Sequence, residues 1–256
     1  MAALGPVHAD GLAISFWCPR PMTASGSPET SPPSWLRLLS ESRVLLEAAL
    51  GLLSGPWLAK QDLRGIPVLV VPGLCASDLS TWPLRRHLRA CGAVVAGWGQ
   101  GLNRGPRPGV MAHLEARLQT LHAAHGRPVA LVGWSLGGLL CRNLAARRPA
   151  LAGEVIALGS PLSGEPGATR LGPLFQWVSG GIPESVAQAL FVQAQDTPVT
   201  SIFSRRDGIV AWQASATRDR RVRALEVRGS HLGMCWNPEV MQRVAARIAA
   251  CAKSRG

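Results

Sequence analysis

Short, nearly unbroken apolar runs alternate along the chain with longer stretches whose apolar positions recur at helical spacing. The runs Ile66–Val71, Ala93–Trp98, Pro128–Gly133, Glu154–Gly159, Pro198–Phe203 and Val222–Val227 predict six strands. Ile66–Val71 is apolar from end to end, as a parallel strand covered on both faces requires. Helical spacing predicts helices over about Leu79–Arg89, Val110–His125, Leu136–Arg147 and Pro238–Ala252. Strand–helix alternation with crossovers places the chain in the α/β class, with a mostly parallel six-stranded sheet covered by helices on both faces.

Three stretches depart from that rhythm. Residues 1–33 hold six prolines among scattered Ser and Gly, and read as an N-terminal arm; Gly11–Trp17 is a candidate short strand within it. A helix then runs from about Trp35 to Leu53, with Ser34 as its N-cap. Leu38, Leu39, Leu45, Leu46, Ala49 and Leu53 fall on its apolar side, and Ser40, Arg43 and Glu47 on the other, with Arg43 and Glu47 spaced to pair. This predicts a packed surface helix. Charges interrupt it too often for a membrane span, although the flanking Arg and Trp also suit contact with a membrane surface. Last, residues 161–197 insert two short amphipathic pieces, Arg170–Val178 and Glu184–Gln193, joined through Gly180-Gly181. They read as a small helical cap after the strand Glu154–Gly159, on a domain spanning 34–256.

The strand Pro128–Gly133 runs directly into Gly133-Trp134-Ser135-Leu136-Gly137-Gly138, and a helix follows. Strand, tight turn and helix around a G-x-S-x-G pentapeptide is the context of a nucleophilic serine. A serine hydroxyl needs a base within reach and an acid to orient that base. Sites in open α/β sheets lie past the carboxyl ends of strands. Asp207 follows Pro198–Phe203 and His231 follows Val222–Val227, which makes the order Ser135, Asp207, His231. Asp196, at the end of the cap, is the rival acid. His87, His113, His122 and His125 sit on or beside helices, where solvated faces are expected. Backbone donors for an oxyanion map to Leu136, after the serine, and Leu74, in the loop after Ile66–Val71. Cys75 adjoins that loop without a neighbouring histidine and reads as a pocket-wall thiol.

Composition narrows the picture. The net charge is +12, almost all from arginine. The arginines are spread along the chain except for Arg218, Arg220, Arg221 and Arg223, and no nucleic-acid motif accompanies them, so nucleic-acid binding is not expected. Six widely spaced cysteines form no C-x-x-C pair, which leaves no metal or disulfide framework. Met1–Pro33 lacks a basic region followed by an apolar run, so no secretory leader is expected, and reduced thiols in the cytoplasm are.

The residues Val70-Val71-Pro72-Gly73-Leu74, Gly97–Pro106, Gly133–Gly138, Leu158-Gly159-Ser160-Pro161, Asp207-Gly208-Ile209-Val210 and Gly229-Ser230-His231 together resemble the α/β-hydrolase superfamily, specifically its small bacterial esterase/lipase-like members. The resemblance covers about residues 66–256. It implies a Ser/Asp/His triad, a cap after Glu154–Gly159, and acyl-ester chemistry without metal or cofactor. Two departures stand out. Pro72-Gly73 replaces the His-Gly of many members, and the Trp35 helix occupies the place of the usual leading β-hairpin.

The expected activity is cleavage of a small carboxylic ester through an acyl-enzyme on Ser135. Trp134, Leu174, Phe175, Trp177 and Phe191 are the expected contacts for an apolar substrate group. An acyltransferase or thioesterase using the same three residues stays open, as does a non-catalytic binding protein on the same scaffold. The oligomeric state is not legible.

Overall fold

Why the apolar runs become strands is plain from where their side chains go. In the computed structural model, which describes residues 32–54, 58, 61–164, 169, 190–191 and 196–255, successive residues of each central strand enter opposite cores. β1 (Pro67–Val71) sends Val68 and Val70 to one face and Leu69 and Val71 to the other. β3 (Val129–Trp134) splits Ala130, Val132 and Trp134 from Val129 and Leu131 in the same way. Such strands have no solvated face and so carry almost no polar residues. β2 (Val94–Ala96), β4 (Ala152–Leu158), β5 (Val199–Phe203) and β6 (Val222–Glu226) complete the sheet. All pairings are parallel, in the order β2-β1-β3-β4-β5-β6.

Helices α3 (Trp82–Ala90) and α7 (Pro238–Lys253) cover one face through Leu84, Leu88, Val240, Val244 and Ile248. The other face is covered by α4 (Val110–His125) and α5 (Leu136–Arg147) through Leu114, Leu118, Leu140 and Leu144. α3 starts three residues later than the spacing suggests, since Leu79–Thr81 form a turn held by N–H bonds back to Ser77 and Asp78. A short helix, α6 (Trp212–Ala216), follows β5. Below the sheet, Glu154 on β4 is 1 % exposed and meets Arg247 of α7 at 2.7 Å and Thr200 of β5 at 2.6 Å. This ion pair bolts α7 to the amino ends of the strands.

The N-terminal helix departs most from expectation. It is broken into α1 (Trp35–Leu39), a 3-10 turn (Ser40–Arg43) and α2 (Val44–Ser54). Ser34 does cap α1, accepting from Arg37 N at 3.4 Å. The predicted faces, however, are reversed. Leu39, Leu45 and Leu46 point to solvent, whereas Glu41 is buried and Glu47 turns inward. Arg43 does not pair with Glu47; its guanidinium binds Ser40 and the carbonyl of Arg206. No helix of the described residues is long and apolar enough to cross a membrane. The candidate strand Gly11–Trp17, most of both cap pieces, and Leu174, Phe175 and Trp177 lie outside the described residues.

Candidate active site

β3 delivers Ser135 in a backbone conformation that L-residues rarely adopt, φ 54° and ψ −120°. Strain of this kind costs of order 1–3 kcal/mol and persists only where the surroundings enforce it. Here Ser135 N donates to Leu158 O at 2.8 Å, and Ser160 Oγ donates to Ser135 O at 2.7 Å. The turn also needs close backbone packing. A Cβ on Gly133 would strike the backbone of Gly137, and one on Gly137 would strike the carbonyl of Val71. The motif's two glycines are thus explained by contact, and Ser160 is a support that the sequence reading missed.

The loop after β1 passes beside the serine. Gly73 lies so near that a Cβ there would stand 3.2 Å from Ser135 Cβ. Asn103, fully buried, fixes this loop: its Nδ2 donates to Pro72 O at 2.8 Å, and its backbone exchanges bonds with Cys75 and Ala76. Asp78 accepts from Trp98 N and Gly99 N, tying the same loop to the end of β2. The N–H groups of Leu74 and Leu136 have no acceptor among the described residues. Cys75, exposed, borders the loop at φ 56°. Burial pushes the thiols of Cys141 and Cys235 upward, Cys235 to about 12, so neither supplies a thiolate.

Asp207, past β5, and His231, past β6, meet at the same end of the sheet. His231 Nδ1 and Asp207 Oδ2 are 2.7 Å apart, with both side chains 2 % exposed. Asp207 Oδ1 accepts from Ile209 N and Val210 N at 2.8 and 2.7 Å, which aims the other oxygen at the imidazole. Gly159, at the end of β4, underlies the pair: a Cβ there would stand 3.0 Å from His231 Nδ1. Trp134 supports it from β3, donating its indole N–H to His231 O at 3.1 Å. Burial works against a charged imidazole, but the Asp207 carboxylate and its hydrogen bond, aided by the charge of Glu41, outweigh it and raise the His231 pKa. Among the described residues no hydrogen bond joins Ser135 Oγ to His231; such bonds commonly tighten only when substrate binds.

The remaining candidates fall elsewhere. Asp196 is exposed, and the carboxylate bonded to the imidazole is that of Asp207. His87 is buried against Cys91 rather than solvated, because its face of α3 packs on the core. Phe191, 37 % exposed, packs on Gly164 in the stretch after β4. No cluster of three metal-ligating side chains exists among the described residues.

Two residues hold the Asp207 and His231 loops together: Glu47, expected on the polar face of its helix, and Glu41, to which the sequence reading gave no role. Glu41, 4 % exposed, accepts from Gly208 N at 2.7 Å, His231 N at 2.9 Å and Leu232 N at 2.9 Å. Glu47 accepts from Ser230 N at 2.8 Å and Ser230 Oγ at 2.7 Å. Ser204 adds a third link, donating to Gly229 O and accepting from Gly229 N and Arg206 N. A Cβ on Gly233 would collide with the Glu47 carboxylate, so the helix approaches only because glycine stands there. Local sequence holds one hint. The loops are glycine-rich and offer N–H groups with no nearby acceptor, and such groups must find one somewhere.

Comparison with known proteins agrees with this architecture. A family model described as the alpha/beta hydrolase fold matches residues 66–235. No curated protein sequence matches the chain. Among solved structures it is similar to one from a study of LipS and LipT, two metagenome-derived lipolytic enzymes, with TM-score 0.57, 17% identity, and coverage of 75% of this chain and 96% of that one. It is also similar to a putative aryl esterase from Burkholderia cenocepacia, with TM-score 0.54, 16% identity, and coverage of 76% and 93%. Aspergillus fumigatus lipase B matches with TM-score 0.56 and 19% identity over 72% of this chain and 52% of that one. At such identities the likeness is one of fold, and with the family match it establishes that this chain belongs to the α/β-hydrolase family.

Proposed function

We propose that the protein is a serine hydrolase of carboxylic esters with an apolar acyl or alcohol group. The observation that carries this reading is the buried Asp207–His231 pair, at 2.7 Å, placed at the same strand ends as the strained Ser135. Asp207 occupies Nδ1 of the imidazole, which leaves Nε2 as the nitrogen free to serve the serine. In the reaction, Ser135 Oγ attacks the acyl carbon while His231 Nε2 takes its proton. Leu74 N–H and Leu136 N–H donate to the oxyanion that forms. The tetrahedral intermediate collapses, the C–O bond to the alcohol breaks, and His231 returns the proton to the departing oxygen. Water, deprotonated by His231, then releases the acid and frees Ser135. Asp207 keeps the imidazole in the right tautomer and offsets its charge.

Support for an apolar substrate comes from the cap side. Leu162 and Leu190 are buried on the α4–α5 face of the sheet, and Phe191 stands partly open beside them. The test is hydrolysis of nitrophenyl esters from acetate to decanoate by wild type and Ser135→Ala. Turnover should depend on Ser135, and kcat/KM should rise along the series by up to ~0.8 kcal/mol per buried CH₂ until the pocket fills. Hydrolysis unaffected by Ser135→Ala would reject the mechanism, and a flat chain-length profile would reject the apolar pocket.

A further inference from the structure

A helix lying on a protein in water turns its apolar stripe to the core and its charges out. The segment carrying α1 and α2 does the opposite. Between residues 34 and 50 its one buried side chain is the carboxylate of Glu41. Leu36, Leu39, Leu45 and Leu46 are 79, 72, 77 and 61 % exposed. The cause lies in the loops beneath. Gly208, Ser230, His231 and Leu232 present backbone N–H groups that Glu41 and Glu47 accept, so the carboxylates face inward and the leucines are left outside.

The border of this leucine face is cationic. Arg37 is exposed on α1, and Arg43 reaches the carbonyl of Arg206, which brings the exposed Arg205 and Arg206 to the same border. The acids of the segment are turned in and engaged by loop donors, and Glu226 is paired with Arg205. An outward apolar face bordered by arginine, on a chain of net charge +12, has one complementary surface: apolar beneath and negative on top.

We propose that this face docks on an anionic phospholipid bilayer. Leu36, Leu39, Leu45 and Leu46 enter the interfacial layer while Arg37, Arg43 and Arg206 meet the headgroups. The inward side of the same segment holds the Asp207 and His231 loops, so docking steadies the proposed catalytic pair from behind. That last consequence rests on the esterase reading; the docking itself does not.

The experiment uses full-length Ser135→Ala protein, which leaves the lipid intact, in flotation with vesicles of phosphatidylcholine alone or mixed with phosphatidylglycerol. The protein should float with the mixed vesicles, lose binding as salt rises, and ignore phosphatidylcholine. Adding Leu45→Ser with Leu46→Ser should weaken binding about tenfold or more, since two exposed apolar side chains are lost. Arg37→Gln with Arg206→Gln should weaken it without touching the leucines, a second arm if the serine variant unfolds. Failure of the parent protein to float, or binding by both paired variants as strong as the parent's, overturns the proposal. So does a concentration-dependent dimer in sedimentation velocity that Leu45→Ser with Leu46→Ser abolishes, because a second copy would then cover the face. With Ser135 restored and no vesicles, Leu45→Ser with Leu46→Ser should hydrolyse a short soluble ester at the wild-type rate. Absence of that hydrolysis in wild type itself defeats the esterase reading and leaves the vesicle result standing.

Discussion

The serine and its two partners are positioned in opposite ways. Ser135 is held by its own neighbourhood: β3 delivers it, α5 begins behind it, and Gly133 and Gly137 permit the packing between them. Asp207 and His231 sit on loops that have little structure of their own. Their backbone donors are taken up by Glu41, 167 to 191 residues away in the chain, and by Glu47, 183 residues from Ser230. One half of the site is encoded by a pentapeptide. The other half is assembled by a clamp from the far end of the domain, where the two carboxylates serve as backbone acceptors rather than solvated charges.

The comparison can be pressed hardest at the serine. Ser135→Ala removes the proposed nucleophile and should lower turnover by roughly 10⁶ without changing stability much. Asp207→Asn should follow, at about 10³–10⁴, because an amide favours the wrong imidazole tautomer. Asp196→Asn, at an exposed carboxylate, should leave turnover near wild type. Steady-state kinetics on a short nitrophenyl ester measures all three, and a larger effect at Asp196 would reassign the acid.

Glu41→Gln separates a clamp from mere packing. It removes a charge and one acceptor while keeping the shape. Misplacement of the base loop should cost about 10–100-fold in kcat with little change in KM. The pH dependence gives a sharper readout. On the proposed mechanism activity needs neutral imidazole, so with the His231 pKa raised, wild-type activity should fall as pH drops through a value above the ordinary imidazole range. Glu41 is one cause of that elevation, so Glu41→Gln should move the acid limb of kcat/KM to lower pH. An unmoved limb with reduced stability would reduce Glu41 to a structural bond.

The smallest effect on turnover is expected at the opposite end of the sheet. Arg247→Met leaves the buried Glu154 carboxylate without its ion pair, and should destabilise the fold by about 3–5 kcal/mol. The folded fraction should keep wild-type kcat, as thermal melting beside active-site titration would show. Loss of kcat there would mean that the two ends of the sheet are coupled.

What could be read from the sequence follows the same division. The strands and the elbow were legible because their signals are local: apolar runs, a G-x-S-x-G after one of them, and an acid and a histidine just past two others. The order of the sheet is the one the family resemblance implies, with β1 between β2 and β3. The faces of α1 and α2 were not legible. Helical periodicity identifies which residues share a side, but only tertiary contact decides which side is in. Leucines normally win that choice; here the unsatisfied N–H groups of residues 208 and 230–232 did, since leaving them buried and unpaired costs more than exposing apolar surface. His87 was misjudged for a related reason, because a polar ring on a short helix gave no sign that its face meets the core.

The central claim, that Ser135 is the nucleophile served by His231 and Asp207, is tested most directly by covalent capture. Wild type treated with a fluorophosphonate and digested should yield a single phosphonylated peptide bearing the adduct on Ser135. Labelling should vanish in Ser135→Ala and slow by orders of magnitude in His231→Ala. An adduct on another residue, or labelling of Ser135 at the same rate without His231, would contradict the account.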